Sequence, residues 1–351
     1  SNGKSHPQIP INRWCVALRD NTPYIFSSSI QIFNQPVFPT MNKKFFGLLI
    51  TSLLSITTIS YWASVQAQIT PKSQQTITPK FISADEVGKL STDGKPFIPS
   101  GLERSAKPTE GNSRGIPTGI DNRIPMLSKK YPWSAIGRVK GTINDGSSYH
   151  CTGTLIADNL VLTNAHCVID DKTGELSSRV EFMPNVIDGN YQDKAQVEQV
   201  IYGTDFKNDP NWKANDWAIM KLNQPLGRKY GHLGWKSIPS AVLARNKKAF
   251  FFVGYSGDFP TSKYQKYFTA GRGWTASYEA GCSITEEKAG SLLHDCATAG
   301  GSSGGAIIGV IGGNPYIVAL NNAERKNLYT GQDIINLAVK ISTIEQVLNG
   351  L

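Results

Sequence analysis

Cys151-Thr152-Gly153-Thr154-Leu155-Ile156, then after three residues Leu160-Val161-Leu162-Thr163-Asn164-Ala165-His166-Cys167, is the stretch that decides the fold. Both runs are short and rich in β-branched and aliphatic residues. Ala157-Asp158-Asn159 between them is a turn signal, so the two runs are expected to be neighbouring strands. The second run ends on a histidine between an alanine and a cysteine. A histidine in such a place is ordinarily structural, and a chemical role needs partners elsewhere in the chain.

The same texture continues on both sides. Short runs bounded by Gly, Asn, Asp and Pro predict strands near Ser134–Lys140, His150–Ala157, Leu160–Asn164, Arg179–Met183 and Gln196–Tyr202. Others are expected near Asp216–Leu222, Ala249–Gly254, Tyr267–Tyr278, Ala306–Val310 and Tyr316–Asn321. Many short strands with few helical patterns indicate an all-β sandwich or barrel class. Ser342-Thr343-Ile344-Glu345 reads as a capping box opening a C-terminal helix, with Gly350 as its stop.

Downstream lies Thr298-Ala299-Gly300-Gly301-Ser302-Ser303-Gly304-Gly305-Ala306. Glycines on both sides of a serine allow a sharp turn that exposes the hydroxyl, and they let a carbonyl approach backbone N–H groups. Gly301-x-Ser303-x-Gly305 also fits the nucleophile elbow of α/β-hydrolases, but that fold places its histidine after the serine. The last histidine here is His294, so chain order excludes that fold. The order that remains is His, Asp, Ser. Asp216 opens the apolar run Trp217-Ala218-Ile219-Met220-Lys221-Leu222, where a carboxylate is costly to bury without a partner such as imidazole. Asp205 and Asp209 read as solvated loop residues.

In these blocks the chain resembles the chymotrypsin-like serine peptidases, whose histidine lies in the same Thr-Asn-Ala-His-Cys context. It is most similar to the glutamyl-endopeptidase-like bacterial subgroup, through Asp121-Asn122-Arg123, Tyr131-Pro132-Trp133-Ser134-Ala135-Ile136-Gly137, Gly254-Tyr255-Ser256-Gly257-Asp258 and His294-Asp295-Cys296. The resemblance spans residues 121–351. It implies two six-stranded antiparallel β-barrels with a C-terminal helix and a serine endopeptidase acting through His166, Asp216 and Ser303. The N–H groups of Gly301 and Ser303 would form the oxyanion hole, and Ala297, Thr298 and Asn321 would line the pocket for the P1 side chain. Ala297 stands where trypsin-like enzymes carry a carboxylate, so cleavage after Lys or Arg is not expected. Asn321 stands where the glutamyl endopeptidases carry histidine, which leaves a polar or small P1 residue, with Glu second. Ser302, just before the nucleophile, offers no charge to a freed α-amino group, so activation by that route is not expected. An inactive binding module on the same fold, or an esterase, are the competing functions.

The segment before residue 121 has a different character. Met41, Lys43-Lys44, the apolar stretch from Phe45 to Ala63 and Val65-Gln66-Ala67 read as a signal peptide over residues 41–67, with cleavage after Ala67. Its Ser and Thr content favours removal over a membrane anchor, so a secreted protein is expected, touching membrane only through that leader. Residues 1–40 read as a mis-assigned upstream extension, and 68–120 as a coil pro-segment or linker. Of the formal net charge of +9, five basic residues and one acid fall in residues 1–67, and no basic run follows. A nucleic-acid partner is therefore not expected, and the substrates would be proteins or peptides.

Setting Cys15 aside leaves Cys151, Cys167, Cys282 and Cys296, an even number that suits an oxidising compartment and allows three pairings. Bridges Cys151–Cys167 and Cys282–Cys296 are expected, the first steadying His166 and the second the entry to the Ser303 loop. His-Cys neighbours without zinc-type spacing argue against a metal, and the chemistry needs no cofactor.

Overall fold

The computed structural model describes residues 76–82, 94–103, 121–326 and 333–350. The predicted upstream extension and signal peptide, residues 1–67, lie outside them.

The strands are β1 (Lys80–Phe81), β2 (Ile124–Pro125), β3 (Ile136–Thr142), β4 (Ser148–Leu155), β5 (Leu160–Thr163), β6 (Arg179–Pro184), β7 (Ala195–Tyr202) and β8 (Ala218–Leu222). They continue with β9 (Gly234–Trp235), β10 (Phe250–Gly254), β11 (Ser277–Cys282), β12 (Ile284–Lys288), β13 (Ser291–His294), β14 (Ala306–Ile311), β15 (Asn314–Lys326) and β16 (Asp333–Lys340). The order β6-β3-β4-β5-β8 closes on itself through β7, which pairs with both β6 and β8, to give a six-stranded barrel. In the second sheet, β11 runs into β12 across Ser283 alone. β11 pairs with β10 and β12 with β13, so the path β13-β16-β15-β14-β10 also returns on itself.

Strand alternation sorts the apolar side chains onto two faces. In β5, Val161 faces the first barrel's interior with Val139, Phe182, Val200 and Met220. Its neighbours Leu160 and Leu162 join a second cluster that takes Ile219 from the first sheet and Val253, Ile308 and Leu320 from the second. A third cluster, with Phe252, Ile284, Leu292 and Val318, fills the second barrel. Each such side chain contributes about 1.5–3 kcal/mol on leaving water.

The differences from the sequence expectations have local causes. The strand expected over Tyr267–Tyr278 starts only at Ser277. The Asp188 carboxylate captures the N–H groups of Thr269 and Ala270 and the Thr269 hydroxyl, folding the preceding stretch into turns. β12 and β13 form an unexpected hairpin. Glu286, Glu287 and Lys288 are exposed at its edge and show no apolar alternation, but Ala289 (φ 48°) and Gly290 (φ 78°) make the tight two-residue turn that joins the strands. The C-terminal helix, Ile341–Gly350, starts one residue before Ser342. Burial of Ile341 and Ile344 draws its start forward, so Ser342 lies inside the first turn instead of capping it.

The described parts of 68–120 are not free coil. β1 pairs in parallel with β7, and Ile82 is fully buried against the core. Phe97 exchanges backbone hydrogen bonds with His232 (2.9 and 3.0 Å) and stacks on its ring, while Ile98 and Leu102 pack on the apolar cluster. A few apolar residues suffice because they complete an existing core instead of closing one of their own.

Candidate active site

The register of β5 against β8 builds the first half of the site. Thr163, the last residue of β5, sits opposite Ala218, the first of β8. His166 follows three residues after the one and Asp216 precedes the other by two, so both leave the same end of the strand pair. A short 3-10 turn over Ala165–Cys167 then aims the imidazole. His166 Nδ1 lies 2.6 Å from Asp216 Oδ2, and the His166 backbone N–H donates to Oδ1 at 3.0 Å. Asp216 is fully buried, and the Asn164 side chain donates to its main-chain carbonyl at 2.6 Å. Burial disfavours the charged imidazole, but the adjacent Asp216 carboxylate outweighs it and raises the His166 pKa above its ordinary value. Asn164 was quoted in the sequence motif without a role, and its position beside His166 was the available signal.

The serine loop docks on the same barrel. Thr152 N–H donates to the Ser303 carbonyl (2.8 Å) and Thr152 Oγ1 to the Gly301 carbonyl (3.0 Å). Gly304 (φ 80°) leaves no room for a side chain, since a Cβ would lie 2.3 Å from both Thr152 O and Thr163 Oγ1. Ser303 is partly exposed, and its Oγ donates to the Asn322 carbonyl at 3.4 Å. Among the described residues, no group accepts the N–H of Gly301 or of Ser303. Gly301 has φ 93°, and a Cβ there would meet His150 Nε2 at 2.3 Å and Tyr255 O at 2.6 Å. His150 is thus the wall behind this loop. Its Nε2 lies 2.9 Å from the Tyr255 carbonyl, and burial, with the Arg138 charge second, pushes its pKa down to about 4, which keeps the ring neutral. The sequence reading names His150 only as the start of a predicted strand, and its place behind Gly301 has no signal along the chain.

Disulfides join Cys151 to Cys167 and Cys282 to Cys296, with Cα separations of 6.0 and 4.9 Å. Cys151, His166 and Cys167 place potential ligand atoms within 4.8 Å of one another, but the two sulfurs are bonded to each other and present no thiolate to a metal.

Ala297, Thr298 and Asn321 are all buried. The Asn321 amide is engaged at both ends, Oδ1 with His294 Nε2 (3.1 Å) and Nδ2 with the Ser302 carbonyl (3.1 Å). Burial lowers the pKa of His294 to about 4. Ser302 turns inward, its Oγ donating to the Ala299 carbonyl at 2.6 Å.

The family model described as Trypsin matches residues 125–335. Serine protease 23 of Rattus norvegicus is 27% identical over 214 residues, 54% of this chain and 49% of that protein. Glutamyl endopeptidase of Bacillus licheniformis is 24% identical over 194 residues, 54% of this chain and 53% of that protein. The chain thus spans about half the length of the curated relatives it matches. Among solved structures, a Glu endopeptidase shares the fold with a TM-score of 0.51 and 24% identity, covering 66% of this chain and 98% of that one. The thermostable serine protease AL20 does so with a TM-score of 0.50 and 18% identity, covering 62% and 96%.

Proposed function

The chain belongs to the trypsin family of serine proteases, and from that premise we propose that it is a secreted serine endopeptidase whose nucleophile is Ser303. The observation that carries this reading is the buried Asp216 carboxylate gripping His166 at both the ring and the backbone, on the barrel against which the Ser303 loop is docked. A buried carboxylate that fixes the Nδ1 tautomer leaves Nε2 as the base. Ser303 Oγ then attacks the scissile carbonyl while His166 takes its proton, and the imidazolium returns that proton to the leaving amine. The hydroxyl's hydrogen bond to Asn322 gives way to one with His166, since such catalytic bonds commonly tighten only in the substrate complex. The unengaged N–H groups of Gly301 and Ser303 receive the oxyanion, and Ala297, Thr298 and Asn321 bound the P1 pocket. Two disulfides in the catalytic domain accord with an oxidising, extracytoplasmic location.

A fluorophosphonate probe followed by peptide mapping tests the assignment, together with casein and ester turnover. The probe is expected on Ser303. The Ser303→Ala variant is expected to lose both labelling and roughly 10⁶-fold in kcat. Casein cleavage at the wild-type rate by a folded Ser303→Ala variant refutes it. Labelling without turnover of casein would favour an esterase, and no labelling an inactive module.

A further inference from the structure

Resting on the peptidase reading, we propose that His150 is a positioning residue for the oxyanion N–H groups, its ring packed against both Gly273 and Gly301 so that the loop joining β10 to β11 sets the direction of the Gly301 N–H. That loop meets the Ser303 loop near its start, where the Gly257 N–H donates to the Gly300 carbonyl at 2.6 Å. The Gly300–Gly301 peptide is trans, so its C=O and N–H point in opposite directions. Pinning the Gly300 oxygen on the Gly257 side therefore turns the Gly301 N–H to the other side. The Gly301 carbonyl is held as well, by Thr152 Oγ1 at 3.0 Å, and that same oxygen accepts the Tyr255 N–H at 2.8 Å. Two residues of the β10–β11 loop thus converge on residues 300 and 301.

His150 stands where these elements meet. Its Nε2 faces the Tyr255 carbonyl at 2.9 Å, and because a carbonyl only accepts, Nε2 carries the hydrogen. A Cβ built on Gly301 would run into that nitrogen, and one built on Gly273 would lie 2.9 Å from both Nε2 and Cε1. Main chain from both loops therefore lies directly against the ring, at two glycines of positive φ (76° at Gly273, 93° at Gly301). Gly273 is in turn fixed from the first barrel. Arg138 Nε donates to its carbonyl at 3.0 Å, and the guanidinium lies 4.0 Å from the centre of the Trp274 ring. The Arg138 charge adds to burial in disfavouring a second proton on His150, so the ring keeps one donor and one tautomer at neutral pH. An apolar ring of similar size would fill the space but leave the Tyr255 carbonyl without this donor. A smaller side chain would give the Gly300–Gly301 peptide room to rotate. None of these bonds involves the side chain of Ser303, His166 or Asp216, so losing the ring is expected to spare nucleophile and base.

The experiment measures kcat and KM of the full chain on a peptide p-nitroanilide that the wild type cleaves, with inhibition by the trifluoromethyl ketone and the alcohol of the same peptide. Ser303 Oγ adds to the ketone carbon, its proton passes to His166, and the ketone oxygen becomes an oxyanion that needs the N–H groups. The alcohol fills the same subsites without that oxyanion. His150→Ala is expected to lower kcat roughly 10²-fold with KM within about three-fold, to weaken the ketone by about the same factor as kcat, and to leave the alcohol unchanged. His150→Gln, whose amide can present an N–H in place of Nε2, is expected to recover to within about ten-fold of wild type, and His150→Phe is not. Arg138→Gln, acting through Gly273, should give the same split between kcat and KM at about ten-fold, which keeps the proposal testable should His150→Ala not fold. A folded His150→Ala protein with kcat and ketone affinity within about three-fold of wild type overturns the proposal. Equal weakening of ketone and alcohol also overturns it, as does wild-type kcat in His150→Phe or Arg138→Gln. A wild type that is neither labelled at Ser303 nor active strikes the peptidase assignment instead, so the two failures are separable.

Discussion

Replacement of Gly301 by alanine tests how the loop proposed to receive the oxyanion is held. Gly301 has φ 93°, and an added Cβ would fall 2.3 Å from His150 Nε2 and 2.6 Å from the Tyr255 carbonyl. Neither neighbour is a flexible surface chain: His150 is buried and Tyr255 O is backbone. The positive φ costs about 1–2 kcal/mol for any residue with a Cβ. Displacing the His150 ring breaks its 2.9 Å hydrogen bond and strands a buried polar group, a further cost of about 1–3 kcal/mol. The sum, about 2–5 kcal/mol, corresponds to a fall in Tm of roughly 5–15 °C for a domain of this size. Relief by rotation of the 301 peptide would turn its N–H away from the oxyanion, costing roughly 10²–10³ in kcat. Thermal unfolding and steady-state peptide cleavage measure both effects. Gly271→Ala is the control, since Gly271 also has positive φ (81°) but nothing within 4 Å of an added Cβ, so about 1–2 kcal/mol and unchanged kcat are expected. A Gly301→Ala protein with the Tm and kcat of the control would refute the steric reasoning.

Activity is expected to rise with pH as His166 loses its proton, with a midpoint above the ordinary histidine value because Asp216 stabilises the imidazolium. In Asp216→Asn that midpoint should fall and kcat should drop roughly 10⁴-fold; an unmoved midpoint in the pH–rate profile counts against the coupling. The same raised pKa makes the His166–Asp216 pair stabilising below the unfolded histidine value and progressively less so as pH climbs through the folded one, so Asp216→Asn should cost more stability at pH 5 than at pH 9 in denaturant titrations. A chain begun at Asn122 with one residue added in front should keep kcat within about two-fold of the same chain without the addition, because Ser302 is uncharged and bonded to Ala299. Both should melt below the full chain, having lost buried Ile82 and the Phe97–His232 contact, at about 1.5–3 kcal/mol for the isoleucine alone. Calorimetry showing equal Tm values would sink the second half of that expectation.

Legibility in the sequence followed locality. The strands around His166 were readable to within two residues, because alternation of side chains across a sheet is written into adjacent positions. The segment Tyr267–Tyr278 was not: its aromatic residues suggest a strand, and the bonds that fold its first part come from Asp188, some eighty positions away. The β12–β13 hairpin was hidden for the opposite reason, since edge strands need no alternating pattern. The coil character assigned before residue 121 missed β1 and Phe97, whose partners β7 and His232 are more than a hundred positions downstream.

The sequence by itself determined the all-β class and was enough to propose the His–Asp–Ser order and its members, because those signals are short motifs whose chemistry depends on neighbours along the chain. Only the tertiary structure decided which groups share an enclosed space. It placed His150 behind Gly301, engaged both ends of Asn321, and set the Glu279 carboxyl against Ala297. Register between distant strands sets those juxtapositions, and burial converts them into electrostatic ones. A glutamate that follows a predicted strand as one more polar residue becomes a demanding neighbour once water is removed from one of its oxygens and no donor among the described residues replaces it.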